Sequence, residues 1–345
     1  MRFRSQLANV STFAKFTASL SSLGKICWMR LEEEVVRFTV IPDQGTQVWA
    51  QLPIDTIFDN TYTVQSATGV INLEVPIGAL SKALRSATGA TSAQLRLTKN
   101  GVVPLLALTV VASSWTAGDN ALGIQQSNQV LSPAGPGEDR PTQPAPVGGP
   151  RERETVITQE IPVKVLHQSV VEGLHEPRCR DPDVHIILPG LVQLKAISDR
   201  FTKLATNTAS GERSSSCPKL ELSANMHGSL KLAIAADTLR ISSVWTGLVN
   251  PPLDPGQLSQ TEIDQLPSER MRALGTEGNG DEEAGWAKVR IDGKDWGRVL
   301  SVGRLSPKVV ACFIHETALI LYVYLRGSWA GEDSCLTYYI NSYSP

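Results

Sequence analysis

Few residues in the sequence have the types and spacing that catalysis requires. His315 and Glu316 begin a zincin-like H-E-x-x-H motif, in which two histidines one helical turn apart bind zinc. Position 319 is Leu, so the second metal ligand is missing. The sequence also contains no Gly-rich phosphate-binding loop and no G-x-S-x-G nucleophile elbow. We therefore expect no catalytic residue and no cofactor, and we expect that the chain is not an enzyme.

The spacing of the His, Cys and acidic residues does not predict a metal site either. His167, His175, Cys179 and His185 follow one another at intervals of eight, four and six residues, which match no structural zinc pattern. Residues 277–283 are rich in Gly and acidic side chains but lack the ligand spacing of a calcium loop. We expect no bound metal, and a solvated loop at 277–283.

Aromatic and thiol side chains are more simply explained by the hydrophobic core. Four tryptophans occupy segments with regular apolar spacing, and we expect them in the core rather than on a ligand-binding surface: Trp28, Trp49, Trp245 and Trp296. Cys27 and Cys312 lie in strand-like runs and are expected to be small buried hydrophobes.

Positive charge is concentrated in four segments, 10–25, 76–90, 189–204 and 292–304. Together they contain ten basic and three acidic residues, a net charge of +7, although the whole chain carries −2. Lys and Arg form helices well on any solvated face. Such faces usually carry Glu as well, because opposite charges four residues apart stabilise a helix, and none of the four segments contains Glu. The pattern favours a surface for a polyanion, since phosphate contacts need no base-reading geometry.

The elements that must position these charges are four amphipathic helices. Apolar residues at spacings of three and four predict helices over 10–23, 77–87, 190–204 and 294–302. Ser11 is the expected N-cap of the first helix. Strand-like runs surround each pair of helices, so both halves of the chain have the order strand, helix, several strands, helix, several strands. The sequence therefore predicts an internal repeat of architecture in an α+β protein.

Length and composition indicate two domains. A chain of 345 residues with 41% apolar residues exceeds one average domain. Residues 114–154 contain six Gly and six Pro, which predicts a flexible interdomain linker between domains at 1–113 and 155–345. Residues 247–285 contain eight acidic and two basic side chains and predict an acidic loop insertion in the second domain, where 261–274 could form a short helix.

The cysteine pattern and the apolar segments of the sequence indicate the cellular compartment. Five scattered cysteines argue against a disulfide framework. The N-terminal residues lack the apolar stretch of a signal peptide, and the longest apolar run, 102–112, is shorter than the ~20 residues that span a bilayer. We expect an intracellular protein that does not bind membranes.

Several segments, in their order and spacing, resemble those of a known family. Met1-Arg-Phe-Arg-Ser-Gln-Leu7, the helix after it, Cys27-Trp28 and the final strand at 336–340 resemble a sliding-clamp protomer of the PCNA type. Three further segments are similar to the Hus-one subunits of the nine-one-one DNA-damage checkpoint clamp: 160–165, 181–189 and 250–253. The resemblance covers the chain apart from the linker and the loops.

This resemblance implies a PCNA-like fold, with two similar domains that each place two helices on an inner face and antiparallel sheets outside. It implies a heterotrimeric ring with Rad-nine-type and Rad-one-type subunits, placed on double-stranded DNA by a Rad-seventeen-containing loader. The ring supports checkpoint kinase activation and docks repair enzymes, and the implied location is the nucleus. The helix residues that would face DNA, without sequence specificity, are Lys15, Lys25, Lys82, Arg85, Lys195, Arg200, Lys203, Lys294 and Arg298. Arg304, at a helix end, is a weaker candidate.

Two segments of this chain are enlarged relative to the family that it resembles, 114–154 and the acidic loop after Leu253. The segment at 114–154 is longer than the short crossover of PCNA-type clamps, which helps to form their pocket for partner peptides, and this puts docking by that mode in doubt. The alternative function is a self-assembling PCNA-type replication clamp with the same fold. In either case the protomer contacts should be edge strands, expected at 103–111 in the first domain and near 220–235 or 308–325 in the second.

Overall fold

The computed structural model describes residues 1–42, 45–116, 151–208, 219–236, 239–251, 264–274, 283–304, 308–325 and 334–343. The first half contains nine strands and two helices within these residues: β1 (Arg2–Gln6), α1 (Val10–Ser21), β2 (Ile26–Leu31), β3 (Val35–Val40), β4 (Gln47–Pro53), β5 (Thr63–Gln65), β6 (Ile71–Pro76), α2 (Ile77–Ser86), β7 (Ser92–Asn100), β8 (Val103–Thr116) and β9 (Arg151–Pro162).

The rest of the described chain begins with a short crossover and continues with the second half. Its elements are β10 (Lys164–Leu166), α3 (Gln168–Val171), β11 (Val184–Ile187), α4 (Leu191–Thr208), β12 (Lys219–Asn225), β13 (Leu230–Ala236), β14 (Leu239–Trp245), α5 (Pro267–Leu274), β15 (Trp286–Asp292), α6 (Gly293–Val299), β16 (Val309–Ile314), β17 (Ala318–Leu325) and β18 (Ser334–Asn341). A 3-10 turn, Leu300–Arg304, extends α6.

The predicted internal repeat is present in the sheets as well as in the element order. The three sheets have the strand orders β5-β1-β7-β8-β9, β10-β6-β2-β3-β4-β18-β17-β16-β11 and β14-β13-β12-β15. The order β6-β2-β3-β4 in the first half corresponds to β15-β12-β13-β14 in the second. Likewise, β1-β7-β8-β9 corresponds to β11-β16-β17-β18.

One joint connects the two halves. Strand β4 pairs with β18 in antiparallel register, from Gln47 opposite Tyr339 to Gln51 opposite Cys335. Because this pair lies inside the nine-stranded sheet, strands from both halves share one continuous sheet.

Helix α1 packs on the inner face of that sheet. The rings of Phe16 and Phe38 meet edge to face with centroids 4.9 Å apart. Across the joint, the buried hydroxyls of Ser19 and Tyr338 are hydrogen-bonded at 3.3 Å. The N-cap of α1 is Asn9, whose side chain accepts a hydrogen bond from the Thr12 amide at 3.0 Å, so the prediction of Ser11 was wrong by two residues.

The second pair of helices is fixed in a similar way. Asp292 caps α6 by accepting from the amides of Lys294 and Asp295. The indole N–H of Trp296, fully buried in the core as predicted, donates to Ser198 of α4 at 3.1 Å. All four predicted basic helices are therefore present, and α5 lies inside 261–274, the segment named above for a short helix.

Two predictions about the middle of the chain were wrong. Residues 114–116 and 151–154, expected to be linker, are paired strand, since β8 and β9 form a hairpin that reaches Thr116 opposite Arg151. Strand β8 is not an edge either, because it lies between β7 and β9. Residues 151–166 do not form one continuous strand, because β9 ends at Pro162 in one sheet and β10 begins at Lys164 in another. The rest of the predicted linker, 117–150, lies outside the described residues.

We predict that Leu84→Ala destabilises the protein by about 2–5 kcal/mol, because Leu84 is 0% exposed at the contact of α2 with the core and its removal leaves a cavity. The free energy of unfolding, measured with a chemical denaturant, checks this value. A loss below 1 kcal/mol would contradict the placement of α2.

We also predict that deletion of residues 120–150 leaves cooperative unfolding unchanged. The deletion would join the hairpin through a three-residue loop, and Thr116 already lies opposite Arg151. A calorimetric unfolding transition that broadens or splits would show that the deleted segment contributes to packing.

Candidate nucleic-acid interface

The four helices α1, α2, α4 and α6 adjoin one another in a single layer. Helix α1 packs against α2, and α4 packs against α6 and the turn Leu300–Arg304. Helix α1 also contacts this turn, which connects the two pairs. The apolar residues of all four helices belong to one core cluster together with the inward residues of the sheets. Their polar faces therefore lie on the side of the layer away from the sheets.

The predicted basic residues lie on these polar faces. In α1, Phe13, Phe16 and Leu20 are buried, which leaves Lys15 on the opposite, exposed side. In α2, the same geometry exposes Lys82 and Arg85. The remaining predicted cations are also exposed, with the exception of Lys195, which is half-buried: Lys25, Arg200, Lys203, Lys294 and Arg298. Lys25 lies beyond the end of α1, in the turn before β2.

Two of the nine cations have partners within the layer. The Lys195 ammonium lies 3.2 Å from the Asp199 carboxylate and donates to the carbonyl of Gly297 at 2.9 Å, so it connects α4 to α6. Arg298 lies 3.1 Å from Asp295. Burial, followed by the nearby Asp292 charge, raises the pKa of the Asp295 carboxyl, and Arg298 opposes this shift.

The other seven cations form no ion pair with any described residue: Lys15, Lys25, Lys82, Arg85, Arg200, Lys203 and Lys294. Uncompensated cations on neighbouring helices give a positive potential that an extended polyanion can use along its length. The structure thus brings the predicted residues together on one layer. Lys195 and Arg298 differ from the other seven because each is paired with an acidic residue of its own helix.

Two of the histidines considered as metal ligands, His185 and His315, make hydrogen bonds within the fold. The His185 ring contacts the Pro251 carbonyl at 2.9 Å through Nε2, and burial lowers the pKa of His185. His315 accepts from the Lys288 amide through Nδ1. No group of three or more His, Cys, Asp or Glu side chains within the described ranges could hold a metal ion.

Cysteine predictions agree with the structure. Cys27 is 1% exposed and Cys312 is 7% exposed, and both lie in strands. Burial raises the pKa of each thiol to about 12, so both stay protonated at neutral pH and behave as small apolar side chains.

A cavity on the outer face of the nine-stranded sheet was not predicted. It has a volume of about 580 Å³, with a floor formed by β2, β3, β4, β6 and β18 and a roof formed by residues 166–176. Trp28 and Trp49 lie in this floor and are only partly buried. The expectation of a core position was wrong for Trp28, whereas Trp49 packs against a smaller buried apolar cluster. Strand alternation places them on the face opposite Cys27 and Val48. The Tyr339 hydroxyl donates to Glu176 at 2.9 Å and holds the roof segment on the sheet.

Comparison with known proteins identifies the family. The family model described as "Hus1-like protein" matches residues 1–344. This chain belongs to the Hus1-like protein family. "Checkpoint protein hus1" of Schizosaccharomyces pombe is 34% identical over 345 residues, which cover 99% of both chains. "Checkpoint protein HUS1" of Homo sapiens is 22% identical, and all of both chains is covered.

Solved structures show the fold of this Hus1-like chain. The proliferating cellular nuclear antigen of Entamoeba histolytica aligns over 99% of both chains with a TM-score of 0.55 and 11% identity. The PCNA2–PCNA3 complex of Sulfolobus tokodaii aligns over 99% of both chains with a TM-score of 0.53 and 13% identity. The fold is therefore PCNA-like, and the predicted resemblance is confirmed at the level of family and fold. No helix in the described ranges is long and apolar enough to cross a membrane.

Proposed function

We propose that this chain is a non-catalytic subunit of a checkpoint sliding clamp that encircles double-stranded DNA in the nucleus. Its proposed neighbours are Rad-nine-type and Rad-one-type subunits, and a Rad-seventeen-containing loader places the ring on DNA. The ring would support checkpoint kinase activation and dock repair enzymes. Support comes from family membership, from relatives that are checkpoint proteins by name, and from a PCNA-like fold whose solved examples include a complex of two different clamp chains.

The observation that supports this proposal most directly is which edge strands of the sheets are covered by other residues and which are open to pairing. Strands β5 and β10 are edges of three residues each. The edge of β11 is covered, because the Ile187 amide donates to the Val249 carbonyl at 2.8 Å and the Asn250 side chain donates to the His185 carbonyl. The edge of β15 is covered in the same manner by bonds from Glu316 and Tyr343.

Strands β9 and β14 are long edges without such cover. No backbone hydrogen bond from another described element reaches their outer sides. Both strands also expose apolar side chains, since Val156 is 63% exposed, Ile157 47% and Val244 50%. An unprotected edge of this kind is a template for pairing with another chain. The edges predicted near 220–235 or 308–325 were also wrong, because β12, β13, β16 and β17 each lie between two other strands. The edges that we propose for contacts between subunits are β9 in the first half and β14 in the second.

The repeat indicates what these two edges do. Strand β9 corresponds to β18, and β14 corresponds to β4. Because β4 and β18 pair with each other inside the chain, their counterparts can form the same joint between chains. A joint between two different edges is heterologous, and repetition of it leads to a ring when the rotation closes.

The basic layer supplies the proposed DNA contact. Lys and Arg bind phosphates without reading bases, and such contacts weaken steeply with salt. Seven uncompensated cations spread over four helices would let a duplex exchange contacts while it moves through a ring. We further propose that the two domains meet within 167–183, because β9 and β10 pair only with strands of the first half.

Assembly is the direct test of the proposed function. The purified chain, mixed with Rad-nine-type and Rad-one-type subunits, should give a complex of one-to-one-to-one stoichiometry in light scattering. A stable homotrimer that admits neither subunit would instead support the replication-clamp alternative.

We predict that Lys82→Glu combined with Arg85→Glu weakens retention of the loaded ring on circular DNA and reduces the dependence of retention on salt concentration, because two phosphate contacts are lost. The matched control is Lys99→Glu with Lys231→Glu, which makes the same charge change on exposed strand residues. Equal retention of both double variants would contradict the assignment of α2 to the DNA-facing layer. Assembly of the ring should be unchanged in both.

A further inference from the structure

Three arginines of the first half form a cluster of positive charge away from the helix layer. Arg2 and Arg4 lie in β1, and Arg96 lies in β7. Between them, Phe3 and Leu95 belong to the same core cluster as the apolar residues of the helices. Because side chains alternate between the two faces of a strand, the three arginines lie on the outer face, where all are exposed. We call these three residues the arginine cluster.

The register of the sheet places two of these charges face to face. Arg4 lies directly opposite Arg96 in the antiparallel pair of β1 with β7. Like charges in directly opposite positions destabilise a strand pair. The same row continues through Ala107 to Glu160, which lies two strands from Arg96, about 10 Å at the usual strand spacing.

The charge of the arginine cluster is not compensated within the described part of the chain. None of its three members forms an ion pair with a described residue. An exposed arrangement that costs the monomer stability, with no evident gain inside the fold, is typical of a functional site.

The side chains around the arginine cluster are polar and uncharged. The amide oxygen of Gln94 accepts hydrogen bonds from Nε and Nη2 of Arg4, both at 3.2 Å, in the amide orientation that satisfies both side chains. On β5, Thr63 lies opposite Arg4 and Gln65 lies opposite Arg2. A neutral amide thus holds one guanidinium group in place without neutralising it, so its remaining donors stay available to an anion.

Phosphate is an anion whose chemistry fits this arrangement. A guanidinium group presents a planar fork of N–H donors that binds phosphate oxygens in pairs. The Cα atoms of opposite residues in an antiparallel pair are about 4.5–5.5 Å apart, so Arg4 and Arg96 can both reach one phosphate group. A phosphorylated side chain carries a charge of about −1.5 to −2 and three acceptor oxygens, which allows it to use two arginines at once.

The surrounding residues favour a peptide over a nucleic acid strand. Proteins that bind single-stranded nucleic acid stack bases on aromatic side chains along a positively charged groove. The outward-facing positions of β1, β5 and β7 hold only Arg, Gln, Thr, Ser and Asn. Positive charge confined to three residues therefore gives one anion site instead of a track along a nucleic acid backbone.

We propose that Arg4 and Arg96 bind the phosphate group of a phosphorylated serine or threonine in an extended segment of a partner protein. Arg2 lies two residues from Arg4 on the same face, about 7 Å along the strand. An extended peptide repeats its side chains on one face at the same distance, so Arg2 binds an acidic side chain two residues from the phosphorylated one. Arginine clusters are a recurring means of recognising phosphorylated and acidic segments.

This site adds a second type of contact to the proposed clamp subunit and does not depend on it. The arginine cluster lies on the face of its sheet opposite the core, away from the proposed DNA contact, so DNA and a phosphorylated partner can be bound together. All three arginines belong to one sheet of one chain. The site is therefore complete in the unassembled protein.

Fluorescence anisotropy with the purified full-length chain tests the inference. The probes are labelled peptides of alanine and glycine that contain one phosphoserine and an aspartate two residues before or after it. One of these probes should bind at least tenfold more tightly than its unphosphorylated form. Arg4→Gln and Arg96→Gln should each weaken binding of that probe about tenfold, because each removes one fork of charged hydrogen bonds.

The matched control is Lys99→Gln with Lys231→Gln, which removes two charges from exposed strand residues outside the cluster. This variant should bind the phosphorylated probe like wild type. Equal binding of the phosphorylated and unphosphorylated probes, or equal loss in the control and in the arginine variants, would overturn the inference.

Arg2→Gln tests the second part of the site. It should weaken binding of the probe that contains aspartate, and it should leave unchanged the binding of a phosphorylated probe with alanine in place of the aspartate. Equal loss with both probes would contradict the assignment of Arg2 to the acidic side chain.

Two further measurements distinguish the proposed role from other roles of the same residues. The midpoint of chemical unfolding of Arg96→Gln should equal or exceed that of wild type, since a like-charge pair is removed. A lower midpoint would show that Arg96 stabilises the fold and would count against the proposal. An unlabelled oligothymidylate that displaces the phosphorylated probe, and whose own binding is lost in Arg4→Gln and Arg96→Gln, would assign the cluster to a nucleic acid strand and overturn the proposal.

Discussion

Pairing of β4 with β18 is the interaction on which the rest of the structure depends. Five residue pairs connect the two halves and make one sheet of nine strands out of four strands of the first half, four of the second and β10. Because the sheet is continuous, α1 can pack on strands of both halves, as its contacts with Phe38 and Tyr338 show. The same continuity brings α1 to the turn that ends α6. Without this joint the four basic helices would form two separate pairs, and no single charged layer would exist.

The positive charge of the helix layer fits the requirements of the proposed sliding contact with DNA. A helix face with alternating Glu and Lys would satisfy its own charges through pairs four residues apart. Among the nine candidate cations, only two pair with a described acid of their own helix: Lys195 with Asp199, four residues away, and Arg298 with Asp295, three residues away. Lys195 also anchors α4 to α6. The unpaired cations are spread over all four helices, with at most a few on each, so in the proposed DNA contact each would contribute a weak and replaceable phosphate interaction. Concentration of the same charges on one helix would favour a fixed binding position instead.

Periodicity in the sequence predicted the local elements well, because helices and strands bury residues at spacings that a single segment determines. Periodicity could not predict which strands pair with one another in the sheets. Strand β9 follows a long segment rich in Pro and Gly, and nothing in its composition says that it returns to β8 rather than joining the second half. For the same reason the position of Trp28 was predicted wrongly: alternation shows that the two faces of a strand differ, and the fold decides which face is covered. The basic residues were identified from sequence, but their separation into paired and unpaired cations required the positions of Asp199 and Asp295.

Covered edge strands can restrict assembly as effectively as open edge strands can promote it. The second half could in principle offer β11, β14 and β15 to a partner. Residues 249–251 cover β11, and residues 315–316 and 342–343 cover β15 through hydrogen bonds to the strand backbone. Lys219 adds to the second cover by lying 3.3 Å above the Tyr343 ring. These bonds consume the backbone groups that an added strand would need. Among the described strands of that half, β14 alone remains open, and its counterpart β4 is already paired with β18. Among the described strands, β9 and β14 are thus the pair of edges left for the proposed subunit contacts, and a joint between two different edges gives all subunits of a ring the same direction.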